Sequence, residues 1–335
     1  MLKFFKDGIN YFIAFVIIIS LNFLLPRLMP GDPLTAIYGE EALIQMSPEF
    51  KSQLIQRLAL DQSLWEQFTS YLLSLVKGNL GYSYYYNAPV SDVIMGALPW
   101  TLLLVGTAII MSTIIGIIIG LESGWRRGKK TDKVLLAGIM FLDGFPDFFL
   151  GMVMLIVFGV ILGLFPLAGA VTPYAGYSGM VLVLDVLKHL VLPAASLTMV
   201  NVTGAYLLTR NAMIAVLGEA YIFTAKAKGL NDAAIRYRHA GRNSILPVIT
   251  HTGMQVGRLV TGALFIETVF SYPGLGLLIQ RGLQTRDYPV LQGVFFVITV
   301  FVLIANFSVD ILYKKLDPRL EPCTLTTGKK LNPTI

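Results

Sequence analysis

The chain has 335 residues, 55% of them hydrophobic and 14% charged, with mean hydropathy +0.68 and formal net charge +6. Soluble domains carry about 25% charged residues, so this composition excludes an ordinary soluble domain and points to an integral membrane protein. The single cysteine, Cys323, excludes a disulfide framework and a cysteine metal centre.

A spanning helix needs about 20 mostly apolar residues, because each residue rises 1.5 Å through a hydrocarbon layer about 30 Å thick. Residues 9–25 form the first such stretch. It begins after Lys3 and Lys6 and runs into PRLMPGDP, which holds no small-x-small cleavage site, so an uncleaved first helix is expected. A polar loop over 26–97 follows, with helical character around 48–76. Residues 98–121 and 134–164 are the second and third spans. The apolar run at 178–187 is either a re-entrant or interfacial piece or part of a fourth span over 188–210, which contains Pro193. Residues 245–270, with His251, Gln255, Arg258 and Glu267, form the fifth span, and 289–313 the sixth.

Six spans put both termini on one side, and the positive-inside rule tests the arrangement. With the N-terminus inside, 18 of the 26 Lys and Arg fall on inner segments. The long outer loop holds four basic residues (Arg27, Lys51, Arg57, Lys77) against seven acids. The expected fold is therefore all-α and polytopic, with about six transmembrane helices, N-in and C-in. The basic charge is topological, which argues against nucleic acid as a partner. Three GxxxG pairs, Gly116/Gly120, Gly159/Gly163 and Gly253/Gly257, are either close helix contacts or chance matches in glycine-rich helices.

Between the fourth and fifth spans lies EAYIFTAKAKGLNDAAIRYRHAGRNSILP, residues 219–247. Residues 219–240 are rich in helix formers and lack proline. Gly229 can close one helix, and Asn231 or Asp232 can cap the next. The pattern predicts helix, turn, helix on the cytoplasmic face, a shape that docks into a partner's groove. An ordinary topogenic loop would not require the turn.

These residues resemble the EAA loop of ABC-importer permeases, in the version of the dipeptide, oligopeptide and nickel branch. The match is carried by Glu219, Tyr221, Thr224, Ala225, Ala227, Lys228, Gly229 and Leu230, then Arg238, His239, Ala240, Arg242, Asn243, Leu246 and Pro247. MPGDP (29–33), GNLGYS (78–83), LPWTLLL (98–104), FSYPGLGLLIQ (270–280), RDYPVLQG (286–293) and LDPRL (316–320) resemble the same branch. In many permeases the loop reads Glu-Ala-Ala before the glycine; here Thr224-Ala225-Lys226-Ala227 stands there, so Gly229 is the anchor. The resemblance implies a single permease domain over 1–320, with outer loop 26–97, coupling loop 211–246 and a polar tail over 321–335. It implies a second homologous permease, two cytoplasmic ATPases carrying ATP and Mg, an extracytoplasmic solute-binding protein, and a prokaryotic inner or plasma membrane. The substrate class it implies is peptides, or alternatively nickel chelates or oligosaccharides. The eight residues Glu219 to Leu230 named above would couple to the ATPase.

No engine is visible in the chain itself. GWRRGKKT (124–131) fails as a phosphate loop, because three residues rather than four separate Gly124 and Gly128 and Lys130 stands in the Ser/Thr position. His189, His239 and His251 lack metal-ligand spacing, and no HExxH or GxSxG occurs. No catalytic residue, metal site or resident cofactor is expected. An ion-coupled secondary transporter is the competing class; it leaves the cytoplasmic helix pair without a use. Among the charged residues within spans, Asp143, Asp147, Arg258 and Glu267 are the candidates for the pathway. Asp143 and Asp147 flank Pro146 and share one face unless the proline breaks the helix; the alternative is a kinked helix with its acids near water.

Overall fold

The computed structural model describes residues 2–28, 33–57 and 61–316. Among them the regular structure is helical. Helix α1 (Leu2–Arg27) precedes four short helices, α2 (Pro33–Tyr38), α3 (Glu40–Gln45), α4 (Pro48–Arg57) and α5 (Leu64–Val76). Ser63 and Glu66 open α5 as a capping box, each side chain bonding the other's backbone N–H. Then come α6 (Val90–Trp125), α7 (Lys130–Asp143), α8 (Asp147–Met154) with a wide π-type continuation over Leu155–Ile161, and α9 (Gly179–Val216). The chain closes with α10 (Ala220–Ala227), a π-type segment Ala234–Gly241, α11 (Arg242–Val269), α12 (Leu275–Thr285) and α13 (Tyr288–Leu316).

Helices α6, α9 and α13 are each long and apolar enough to cross a bilayer, and α7 with α8 forms a pair bent by 99° that passes the same test. In α6, Ile110, Ile114 and Ile118 are exposed, one helical turn apart. Such a row suits hydrocarbon and not water, whereas the opposite row is polar or small and packed inside.

That inner row explains the tightest contact of the fold. Gly116, Gly120 and Gly124 lie on α6 four residues apart and face α9. A Cβ at these positions would sit 2.6 Å from the Ala205 Cβ, 2.7 Å from the Thr209 Cβ and 2.7 Å from the Met213 Cβ, respectively. The first predicted pair is therefore a true close approach, and Gly124 extends it by a turn that the sequence reading missed. Gly159 packs on Leu167 and Gly163 sits in a turn at φ +60°, so the second pair is not a helix–helix seam. The surroundings of Gly253 and Gly257 lie outside the described residues.

The central core joins α6, α9 and α11 through Leu104, Val105, Leu197, Ala263 and Ile266. The run 178–187 belongs to α9, which is continuous for 38 residues, about 57 Å at 1.5 Å per residue. Pro193 is carried inside it, and the hydroxyl of Ser196 donates to the Leu192 carbonyl at 2.8 Å one turn on. The third span is broken at Gly144-Phe145-Pro146, so Asp143 ends α7 and Asp147 begins α8. The proline breaks the helix, and the two acids do not share one face.

Candidate functional site

The end of the molecule rich in Arg and Lys carries the elbow. Helix α10 presents Ile222 and Ala225, three residues apart, to a cluster formed by Leu121 of α6, Met213 of α9, and Ile235 and Ala240 of the π-type segment. Ile222 is 0% exposed, while its neighbour Phe223 is 61% exposed. The Phe223 ring is thus turned outward on a polar, basic elbow.

The elbow's shape is fixed by backbone bonds. The Gly229 N–H donates to the Lys226 carbonyl at 2.9 Å and the Leu230 N–H to the Ala225 carbonyl at 3.4 Å, the two bonds of a Schellman turn. Gly229 has φ +75°, where a side chain is strained although nothing lies within 4 Å of its missing Cβ. Asn231, not Asp232, caps the next helix, its Oδ1 accepting the Ala234 N–H at 2.7 Å. That second helix does not stop at the surface; it runs through Gly241 straight into α11. The elbow is thus continuous with α11, which carries Glu267 near its far end.

Of the eight expected coupling residues, Glu219 occupies the N-cap without a side-chain cap bond, and Lys228 the C-cap. The Tyr221 hydroxyl accepts from the Asn243 side chain at 2.7 Å, tying α10 to α11. Thr224 donates to the Ala220 carbonyl at 3.2 Å. Ala227, Lys228, Gly229 and Leu230 face outward. Ala225 alone points inward and belongs to the mount.

Two ion-pair groups brace this end. Arg236 donates to Glu122 at the end of α6, Arg126 pairs with the same carboxylate, and the Arg236 guanidinium lies 5.0 Å from the centre of the Trp125 ring. Asp132 accepts both Nε (2.7 Å) and Nη2 (2.9 Å) of Arg210, the Ser123 hydroxyl at 2.6 Å and the Gly128 N–H at 2.8 Å. This fork pins α6, α7 and α9 together, a geometry peculiar to the guanidinium–carboxylate pair. The residues that fail as a phosphate loop are therefore a bracing turn around Asp132.

At the opposite end the remaining motifs converge. Glu267, wholly buried near the end of α11, accepts from the Thr101 hydroxyl at 2.6 Å and the Gly276 N–H at 2.5 Å. Thr101 in turn accepts the Leu275 N–H at 2.8 Å. Two side chains from different helices thus cap α12, and Gly274 must lack a Cβ because the Glu267 carboxylate occupies that space. Both oxygens of Glu267 accept hydrogen bonds within this clamp. Asp287 joins RDYPVLQG to GNLGYS, accepting the Ser83 hydroxyl at 2.5 Å and the Tyr85 N–H at 3.0 Å.

Of the other pathway candidates, Asp147 borders a cavity between α8, α9 and α11, whereas Asp143 is exposed at the end of α7. The side chain of Arg258 lies outside the described residues, as do Met29 to Asp32 of MPGDP and most of LDPRL.

A bundle of bilayer-length apolar helices with a braced elbow at its basic end and capped hairpins at the other defines a multi-pass membrane protein. Residues 1–105 match the family of N-terminal membrane components of binding-protein-dependent transport systems, and residues 112–322 the family described as binding-protein-dependent transport system inner membrane component. The chain belongs to this family of ABC-importer permease subunits. It is 34% identical over 324 residues to the dipeptide transport system permease protein DppB of Escherichia coli K12, covering 92% of this chain and 95% of that protein. It is 34% identical over 314 residues to the di/tripeptide transport system permease protein DppB of Pseudomonas aeruginosa, covering 90% and 93%. The oligopeptide transport system permease protein AppB of Bacillus subtilis is 34% identical over 306 residues, covering 90% and 93%. Among solved structures, a chain of the MetNI methionine ABC transporter in inward-facing conformations shares the fold, with TM-score 0.55 and 16% identity, covering 68% of this chain and 97% of that one.

Proposed function

We propose that this chain is one of two transmembrane subunits of an ATP-driven importer of short peptides, received from an extracytoplasmic solute-binding protein. The observation that carries this reading is the elbow: a short helix anchored inward by Ile222 and Ala225, with Phe223 turned outward and its turn closed at Gly229. Such a knob fits a cleft on a cytoplasmic ATPase. Glu219, Tyr221, Thr224, Ala227, Lys228, Gly229 and Leu230 ring the contact, and Ala225 holds it from behind.

The peptide substrate is inferred from the relatives, which are named for dipeptide, di/tripeptide and oligopeptide transport. Six spans with both termini in the cytoplasm place the elbow beside the ATPases and the Glu267 clamp towards the binding protein. The basic end supports that orientation. Residues 1–320 form the single permease domain and 321–335 its tail, in the inner membrane of a prokaryote. ATP and Mg are held by the two partner ATPases, whose closure moves the elbows and rocks the permeases. A second permease pairs with this one, and the pathway runs between the two subunits.

The test is uptake of radiolabelled dipeptide by vesicles containing the four-subunit complex and the binding protein. Uptake should require ATP and stop with hydrolysis-dead ATPases. Uptake by this chain alone would overturn the reading.

A further inference from the structure

Helix α5 meets α1 at its Arg27 end. The rings of Phe68 and Tyr71 on α5 are centred 5.1 and 5.7 Å from that of Phe23, and the Arg27 guanidinium donates to the Gln67 side chain at 2.9 Å. Phe23 and Arg27 are one turn apart, about 6 Å by helix rise. Helix α5 therefore lies at the height where the apolar stretch of α1 gives way to its terminal arginine. In a spanning helix that height is the boundary between hydrocarbon and headgroups.

The apolar side of α5 is wider than this contact. Beside Phe68 and Tyr71 runs a second row, Trp65, Leu73 and Val76, brought to one side by spacings of eight and eleven residues. Trp65 is 72% exposed, Leu73 62% and Val76 87%. Glu66, Ser70 and Lys77 occupy the other side of the helix and are exposed as well. The helix is thus amphipathic, with a polar strip suited to water and an apolar strip that is not.

Two features say what meets the apolar strip. It continues the hydrocarbon-facing surface of α1, where Leu24, Leu25 and Leu28, neighbours of Phe23 and Arg27, are exposed. Its ends also carry interfacial side chains: Trp65 in the first turn, whose ring has an apolar body and a polar N–H, and Lys77 at the C-cap, whose long stem reaches headgroups.

We propose that α5 is an interfacial helix, lying in the surface of the outer leaflet with Trp65, Leu73 and Val76 sunk among lipid chains. Lipid there fixes the height of the next segment, GNLGYS, whose Ser83 is fastened to Asp287. The leaflet assigned rests on the orientation in the transport reading above; the contact with lipid does not.

The test places p-acetylphenylalanine at Trp65, Leu73 or Val76, and at Ser70 as the control, and couples each to a hydroxylamine nitroxide. The assembled complex is reconstituted in phosphatidylcholine and phosphatidylglycerol. Relaxation of each label by oxygen, which concentrates in hydrocarbon, is compared with relaxation by a water-soluble nickel chelate. The oxygen-to-nickel ratio should be several-fold higher at 65, 73 and 76 than at 70, with or without the binding protein. Three positions read the same strip, so one that does not assemble leaves two. Equal ratios at all four positions would overturn the interfacial helix. So would labels at 65, 73 and 76 that sit in water until the binding protein shields them, because the strip would then belong to a soluble partner. In right-side-out vesicles, a lipid-like pattern with the label at 70 reached by nickel only from within would contradict the orientation and leave the interfacial helix standing.

Discussion

Replacing Gly229 by valine sets a steric preference of one residue against the whole coupling step. Gly229 holds φ +75°, and its missing Cβ has nothing within 4 Å, so crowding cannot account for any effect. The cost is conformational: a residue with a Cβ loses about 1–2 kcal/mol in the left-handed region, with a β-branched side chain at the upper end. That lowers the population of the closed elbow by a factor of about 5–30. Asparagine tolerates the same region, so Gly229→Asn should retain most function, with Gly229→Ala between the two. The assay is peptide uptake per ATP hydrolysed, measured in proteoliposomes on matched amounts of complex. The expected order is Gly, Asn, Ala, Val, with uptake per ATP several-fold down in the valine variant while the complex still assembles. Wild-type coupling in Gly229→Val, or equal losses in Asn and Val, would refute the reasoning.

Gly120→Leu should separate α6 from α9, because even its Cβ falls 2.7 Å from that of Thr209 and 2.9 Å from the Tyr206 carbonyl oxygen. Overpacking of this kind costs about 1–3 kcal/mol, read as a lower melting temperature of the detergent-purified protein. Arg236→Glu should place two acids together where Glu122 now accepts from Arg236, losing about 1.5–3 kcal/mol for a charged hydrogen bond. Uptake per ATP should fall in that variant and recover in the Glu122→Arg/Arg236→Glu exchange; a double variant worse than either single change would dismiss the linkage.

The elbow was largely legible in the sequence because its signals are local. A glycine after a helix-forming run gave the turn, and Asn231 or Asp232 the next cap; the structure puts the turn at Gly229 and the cap on Asn231. Helical spacing of Ile222 and Ala225 would also have marked Phe223 as outward, a signal present and unused. The bracing pairs were not legible, because Asp132 and Arg210 are 78 residues apart and Arg236 and Glu122 are 114 apart. No periodicity connects such positions; only the assembled bundle does. For the same reason Glu267 reads as an isolated intramembrane acid, while its partner Thr101 lies 166 residues away. The third span's proline announced a break but not its 99° bend, which depends on how α8 packs against α9 and α11. The run 178–187 stayed ambiguous because an apolar stretch of ten residues has no length signal of its own; joined to α9, it simply lengthens that helix.

The central claim is that the outward face of α10 seats in a cytoplasmic ATPase. A photo-cross-linking amino acid placed at Phe223, in membranes holding the whole complex, tests it directly, with the same label at buried Ile222 as the control. The account predicts a cross-link to the ATPase subunit from position 223, sensitive to ATP, and none from 222. An equal yield from both positions, or no ATPase adduct from 223 in a complex that imports peptide, would contradict it.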